Sequence, residues 1–202
     1  IQNNAASLTG SQTITANAIN SHNWYGILSS LNTKVKDINI TGGVDGRYYK
    51  GFHAYKIDDL LGGKYYTESL DLNRDPGTPL KKGDYIYYHY LGEVLWEGLF
   101  LQGEYVKDNF SAFISGAASN TSYRRTDYFN YLNSDPNQVT AWQNFLGWSV
   151  KGGANYNINE YHNVFINGGY FTRAPFFSSV FALKNNTVND GSKNERILST
   201  EL

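Results

Sequence analysis

Cysteine is absent from the 202 residues, which excludes disulfides and thiolate metal sites. Methionine is absent too, initiator included, which leads to the expectation that this is a processed or excised piece of a longer chain. No apolar run reaches the roughly 18 residues a transmembrane helix needs, and no signal-peptide pattern opens the chain. Proline occurs four times. Neither sign of charge dominates: 17 Lys and Arg stand against 18 Asp and Glu, for a net charge of −1. That balance argues against a nucleic-acid binder, which would carry a basic stripe.

What is present is aromatic, glycine-rich and polar. Tyr 17, Phe 11, Trp 4 and Gly 20 suit long strands and tight turns. Mean hydropathy is −0.48, a soluble-looking value that misleads where strands alternate polar and apolar residues.

The organising pattern is three hairpins. Long strand-like runs meet at Lys36-Asp37, Asp108-Asn109 and Asn159-Glu160-Tyr161. Residues 1–23 read as the tail of a loop, with a strand within 12–19. Over 24–35, Tyr25, Ile27, Leu31 and Val35 oppose Ser30, Asn32 and Lys34. Ile38, Ile40, Val44 and Tyr48 then oppose Asn39, Thr41, Asp45 and Arg47. A period of two over such lengths is a strand signal, since a helix repeats every 3.6 residues. The second hairpin covers 93–107 and 110–125, with Glu97 interrupting an apolar face of Leu95, Leu99, Leu101 and Tyr105. The facing of 110–125 stays open. The third covers 146–158 and 164–173, and 197–202 begins a seventh strand.

Between hairpins the connections are long, near 58–91, 126–144 and 175–196. Short turns at one end and long loops at the other is the plan of an outer-membrane β-barrel. The runs of about 12–16 residues exceed the five or six of ordinary strands. Aromatics form two expected tiers: Tyr105, Phe110, Tyr156 and Phe165 near the turns, and Trp24, Tyr48, Trp96, Trp148 and Tyr170 near the loops. A soluble β-sandwich or an open antiparallel sheet produces the same alternation, with the aromatics as core.

Candidate chemistry is sparse. His22, His53, His89 and His162 lack metal-ligand spacing. Asp58-Asp59, Glu68 and Asp71 lack calcium-loop spacing and read as solvated loop charge. The glycine pairs precede no helix, so they are not phosphate loops. No nucleophile elbow or carboxylate pair marks an enzyme, and no cofactor is expected. Asp45, Arg47, Glu104, Lys151 and Arg173 share the polar face, where pairing with one another or with a plug is expected. The loop aromatics Tyr65, Tyr66, Tyr85, Tyr87, Tyr88, Tyr128, Phe129, Tyr131 and Trp142 are the ligand candidates, because aromatic faces stack on sugars and flat chelates.

Several stretches resemble a known family. They are Trp24-Tyr25-Gly26-Ile27-Leu28, Gly42-Gly43-Val44-Asp45-Gly46-Arg47-Tyr48-Tyr49-Lys50-Gly51-Phe52-His53 and Asp59-Leu60-Leu61-Gly62-Gly63. Gly98-Leu99-Phe100-Leu101-Gln102-Gly103-Glu104-Tyr105, Tyr123-Arg124-Arg125-Thr126-Asp127-Tyr128-Phe129 and Lys151-Gly152-Gly153-Ala154-Asn155-Tyr156 continue in the same order. So do Asn163-Val164-Phe165, Phe171-Thr172-Arg173-Ala174-Pro175-Phe176 and Asn194-Glu195-Arg196-Ile197-Leu198. Together they resemble the barrel of TonB-dependent outer-membrane receptors of Gram-negative bacteria, of a Bacteroidota-like type. The resemblance implies a 22-stranded barrel in the outer membrane, of which this chain supplies an arc of about seven strands. It implies uptake of a scarce ligand such as a metal chelate, a vitamin or a glycan. The partners implied are outer-membrane lipid, the remaining barrel and plug, a periplasmic TonB protein and a surface lipoprotein. The plug, the TonB-interacting segment and the terminal strand are expected to lie outside these residues. A soluble or surface-exposed binding or adhesion module remains the alternative.

Overall fold

A computed structural model describes residues 10–202. These residues are all-β, with seven antiparallel strands in one open sheet. They are β1 (Thr15–Val35), β2 (Ile38–Asp59), β3 (Tyr85–Lys107), β4 (Phe110–Asp127), β5 (Gln143–Asn157), β6 (Asn163–Arg173) and β7 (Glu195–Glu201). Each strand pairs only with its sequence neighbours, and the order runs β1 to β7 without a crossover. The only α-helix among the described residues is α1 (Phe177–Val180), a single turn. The strand expected within 12–19 is the start of β1; of the loop expected over 1–23, residues 1–9 lie outside the described residues.

The three hairpin turns stand where the pattern places them. Val35 pairs with Ile38, Lys107 with Phe110 and Asn157 with Asn163. Lys36 and Asp108 take φ of 55° and 50° at the first turn position. Primed turns need that sign to match strand twist. The strands exceed expectation: β1, β2 and β3 hold 21, 22 and 23 residues. The gain is at the loop end, where the aromatic run over 85–90 hides its alternation.

Register settles the facing. Val44 pairs with Leu99, Leu99 with Ala118, Ala118 with Trp148 and Val150 with Tyr170, so these side chains share one side, the apolar face. Ala112, Ile114, Gly116 and Ala118 therefore lie on it, which resolves the facing of β4. That face is bare: Ile27, Leu31 and Leu146 are 72, 74 and 79 % exposed. Its turn-side aromatics are Tyr105, Phe110 and Tyr156, and its loop-side aromatics include Tyr25, Tyr48, Trp148 and Tyr170. Trp24, Trp96 and Phe165, expected in those tiers, fall on the opposite face, because each sits one residue out of phase with the apolar positions.

On that opposite face, rings lie flat over glycines. A Cβ on Gly98 would stand 2.5 Å from the Trp96 ring, and one on Gly169 would stand 2.7 Å from Phe171. Cross-strand, Phe100 covers Gly43 in the same way. Aromatic cover of strand glycines recovers packing that glycine forfeits.

Among the described residues the buried clusters sit at the loop end. Ile57, Leu80 and Ile86 form one buried cluster, and Tyr123, Val180 and Phe181 form another. Both lie on the opposite face, where residues 60–84 and 174–194 fold back onto the sheet.

Candidate functional site

The long loops meet at this end, and polar side chains lace them together. Asn73, between β2 and β3, donates to the carbonyls of Tyr128 (3.1 Å) and Tyr131 (2.8 Å), beyond β4. Asn186, between β6 and β7, donates to the carbonyls of Asn137 and Gln138, both at 2.7 Å. Asparagine suits this work, since its amide carries two donors that can reach two carbonyls.

Arg125 anchors the arrangement. Its Nη1 donates to Asp127 (2.7 Å) and to Asn186 (3.1 Å), and its Nη2 donates to the carbonyl of Lys184 (2.9 Å). Arg125 is 2 % and Asp127 1 % exposed, so both charges are out of water and paired. The guanidinium also lies 4.3 Å over the Tyr90 ring. Asp127 turns the chain after β4 by accepting from the amides of Phe129 and Asn130, both at 3.0 Å.

A fold irregularity aims aromatics into the same place. In the β2–β3 ladder Ala54 pairs with His89 but Tyr55 pairs with Ile86, leaving Tyr87 and Tyr88 bulged out. Tyr87 adopts φ 63°, rare for a bulky residue. The bulge sets Tyr88 5.2 Å from Tyr55 and 5.8 Å from Tyr90. Tyr90 stacks on His53 at 4.8 Å, on the same face. Bulges next to sites commonly re-aim side chains in this way.

Against these tyrosines stands the turn of α1. Phe177 seats over Gly92, where a Cβ would be 3.1 Å from its ring, and packs edge-on to Tyr123 at 5.8 Å. Tyr123 donates its hydroxyl to the carbonyl of Pro175 (2.7 Å). Between the two sides lies a cavity of about 440 Å³ walled by Tyr87, Tyr88, Tyr90, Phe177 and Phe181. Arg125, Asn130 and Lys184 supply its polar edge.

The expected site residues divide. Tyr87 and Tyr88 line the cavity, although they stand in β3 and not in a loop. Tyr66 packs on the Ile57 cluster, and Tyr65 lies against Gly10. A hydrogen bond to Tyr87, then burial, pushes the Tyr66 hydroxyl up to about 12. Tyr85 and Tyr128 turn to the apolar side and enclose His89 at 4.4 and 4.6 Å. Tyr131 enters only through its carbonyl, which holds Asn73. Phe129 is 1 % exposed and is a packing residue. Trp142 is also displaced, lying 4.6 Å from the Arg124 guanidinium on the apolar side. Phe177, Phe181 and Lys184 were not legible as site residues, because an inward-folding loop leaves no periodic signature, and Arg125 stands in β4, whose facing the sequence leaves open.

The register puts the five polar-face charges on one side of the sheet. Asp45 accepts from Arg47 Nε (3.1 Å), and Glu195 accepts from Arg173 Nε (3.0 Å). Glu104 accepts from Gln102, and Lys151 lies 4.9 Å over the Phe171 ring. Loop acids are engaged as well: Asp58 with Lys82 (3.6 Å) and Asp71 with Arg74 (3.4 Å). Burial pushes the Glu68 carboxyl up, against the backbone hydrogen bond from Tyr87 and the charge of Arg74. Among the described residues no group of three acidic or histidine side chains is placed to hold a metal.

Comparison with family models, curated proteins and solved structures finds no match to this chain.

Proposed function

We propose that this sheet is an arc of the wall of a transmembrane β-barrel in the outer membrane, part of a TonB-dependent receptor that takes up a scarce ligand. The observation that carries the reading is the apolar face, bare along the sheet and covered by no other part of the described chain. A sandwich needs a second layer over that face, whereas a bilayer supplies the cover itself.

Dimensions agree with that assignment. The apolar stretches from Tyr25 to Val35, Ile38 to Tyr48 and Leu146 to Tyr156 each take about ten steps, or roughly 33 Å along the strand. A tilt of about 40° reduces this to about 25 Å, the height of a barrel's apolar band. Glu97, opposite Gly46, interrupts the band in β3, and toward the loops the same face turns polar: Glu93 accepts from Arg124 at 2.7 and 2.8 Å, and Tyr48 donates to Glu93. Such a cluster fits the headgroup level and beyond. The opposite face, with its paired charges and asparagines, then lines the lumen. β1 offers a 21-residue edge without proline, a hazard in water and a template inside a wall of further strands. The short turns would face the periplasm, and the laced loops and cavity would form the outer mouth. A plug, a periplasmic TonB protein, a surface lipoprotein and the lipid are the partners in this reading.

Fractionation of cells that make the parent chain is the test. Recovery in detergent-extracted outer membrane, with a heat-modifiable band on gels, is expected. Recovery in the soluble fraction overturns the reading in favour of a soluble binding or adhesion module.

A further inference from the structure

We propose that the cavity under α1 binds a ligand that combines a flat ring with an anionic group. The proposal deepens the receptor reading and rests on it only for the side from which ligand arrives.

The walls specify the ring. Tyr88 and Tyr90 lie on one side, and Phe177 and Phe181, 4.8 Å apart, on the other. These faces are apolar, and the tyrosines carry hydroxyl tips for polar substituents at the ring edge. About 440 Å³ is the size of a small-molecule pocket and suits one or two six-membered rings.

The polar edge specifies the charge. The positive charge of Arg125 is balanced within the structure by Asp127 (2.7 Å). Lys184 also lines the cavity, and among the described residues no carboxylate pairs with its ammonium. Lys184, an exposed residue at the cavity edge, therefore stands beside the aromatic walls as a cation with no carboxylate partner among the described residues. Lys184 itself sits at φ 58°, with its carbonyl held by Arg125. A left-handed lysine is costly, and here the buried guanidinium holds it at the cavity edge.

Two sources share this chemistry, an aryl-substituted sugar acid and a simple aromatic acid, and paired probes separate them. The full-length protein, purified from whichever cell fraction holds it, is titrated calorimetrically with 4-nitrophenyl glucuronide and its neutral glucoside. Benzoate is compared likewise with benzyl alcohol. A charge-assisted contact predicts that the charged member of at least one pair binds about tenfold more tightly or better. Lys184→Gln brings that ratio near one, and Lys184→Arg restores it. Phe177→Ala weakens both members of the pair by roughly three- to tenfold, leaving the ratio in place. Equal binding of charged and neutral members, no binding of any probe, or a ratio unmoved by Lys184→Gln overturns the proposal. The fraction that yields the protein judges the receptor reading separately. A soluble protein with the charge ratio keeps this site and loses the membrane, and a membrane protein without the ratio does the reverse.

Discussion

Arg124 and Arg125 are neighbours in the chain and act on opposite faces of the sheet. Arg124 grips Glu93 on the apolar side, and Arg125 holds Asp127, Asn186 and the Lys184 carbonyl on the other. One strand step thus separates a pair in which only Arg124 reaches water, Glu93 being buried, from a wholly buried pair that organises the mouth.

That contrast predicts unequal effects. Arg125→Leu strands the Asp127 carboxylate without its partner and releases the loop that carries α1, at a cost of about 3–5 kcal/mol. Arg124→Leu leaves the buried Glu93 carboxylate with the Tyr48 hydroxyl as its remaining side-chain donor, and it touches no contact of residues 174–194. Limited proteolysis of residues 174–194 reads the difference: rapid cleavage is expected for Arg125→Leu, and near wild-type resistance for Arg124→Leu.

Two glycines of β3 make a second test. A methyl on Gly98 collides with the Trp96 ring at 2.5 Å, whereas one on Gly103 meets nothing within 4 Å. Gly98→Ala is expected to lower stability by about 1–3 kcal/mol through overpacking. Gly103→Ala is expected to be neutral or stabilising, since it restricts the unfolded chain. Urea midpoints of the folded protein decide; equal shifts would refute the ring-over-glycine account.

Facing gives a third. If the apolar side meets lipid, Val150→Arg or Val44→Arg costs roughly 2–4 kcal/mol near mid-bilayer. Thr41→Arg, on the other side, costs much less. Unfolding from liposomes measures both, and equal costs would sink the assignment of faces.

The fourth concerns pH and the loop over 60–84. Burial raises the Glu68 carboxyl above its ordinary 4.5. A raised folded value favours the protonated form, so this contribution to stability is fully present below about 4.5 and is lost as pH rises through the raised value. Glu68→Gln removes the loss. Hydrogen exchange at the Tyr87 amide, which donates to Glu68 Oε2 (3.3 Å), is expected to slow in the variant at pH 7. At pH 4 variant and wild type should match; a difference confined to pH 4 would contradict the sign.

The alternation of Ile38, Ile40 and Val44 against Asn39, Thr41 and Asp45 made strands, faces and hairpin turns readable in advance. Period two is a local property that needs no knowledge of partners. The cavity was not readable for the opposite reason. Tyr87 and Tyr88 reach it through a bulge, and a run of consecutive aromatics has no phase to read. Phe177, Phe181 and Lys184 reach it through Asn186 and Arg125, contacts about 50 to 60 residues apart. Trp142 and Phe129 looked like loop aromatics free for ligand, yet Arg124 holds the first and the core takes the second.

The neighbour-only strand order has a consequence in time. Each new strand closes onto the one made just before it, so no pairing waits for a distant segment and the loop-closure cost stays small at every step. The sheet can lengthen one hairpin after another in the direction of synthesis. At each moment two edges are unsatisfied, that of β1 and that of the newest strand, and shelter for the second must pass from strand to strand as the sheet grows.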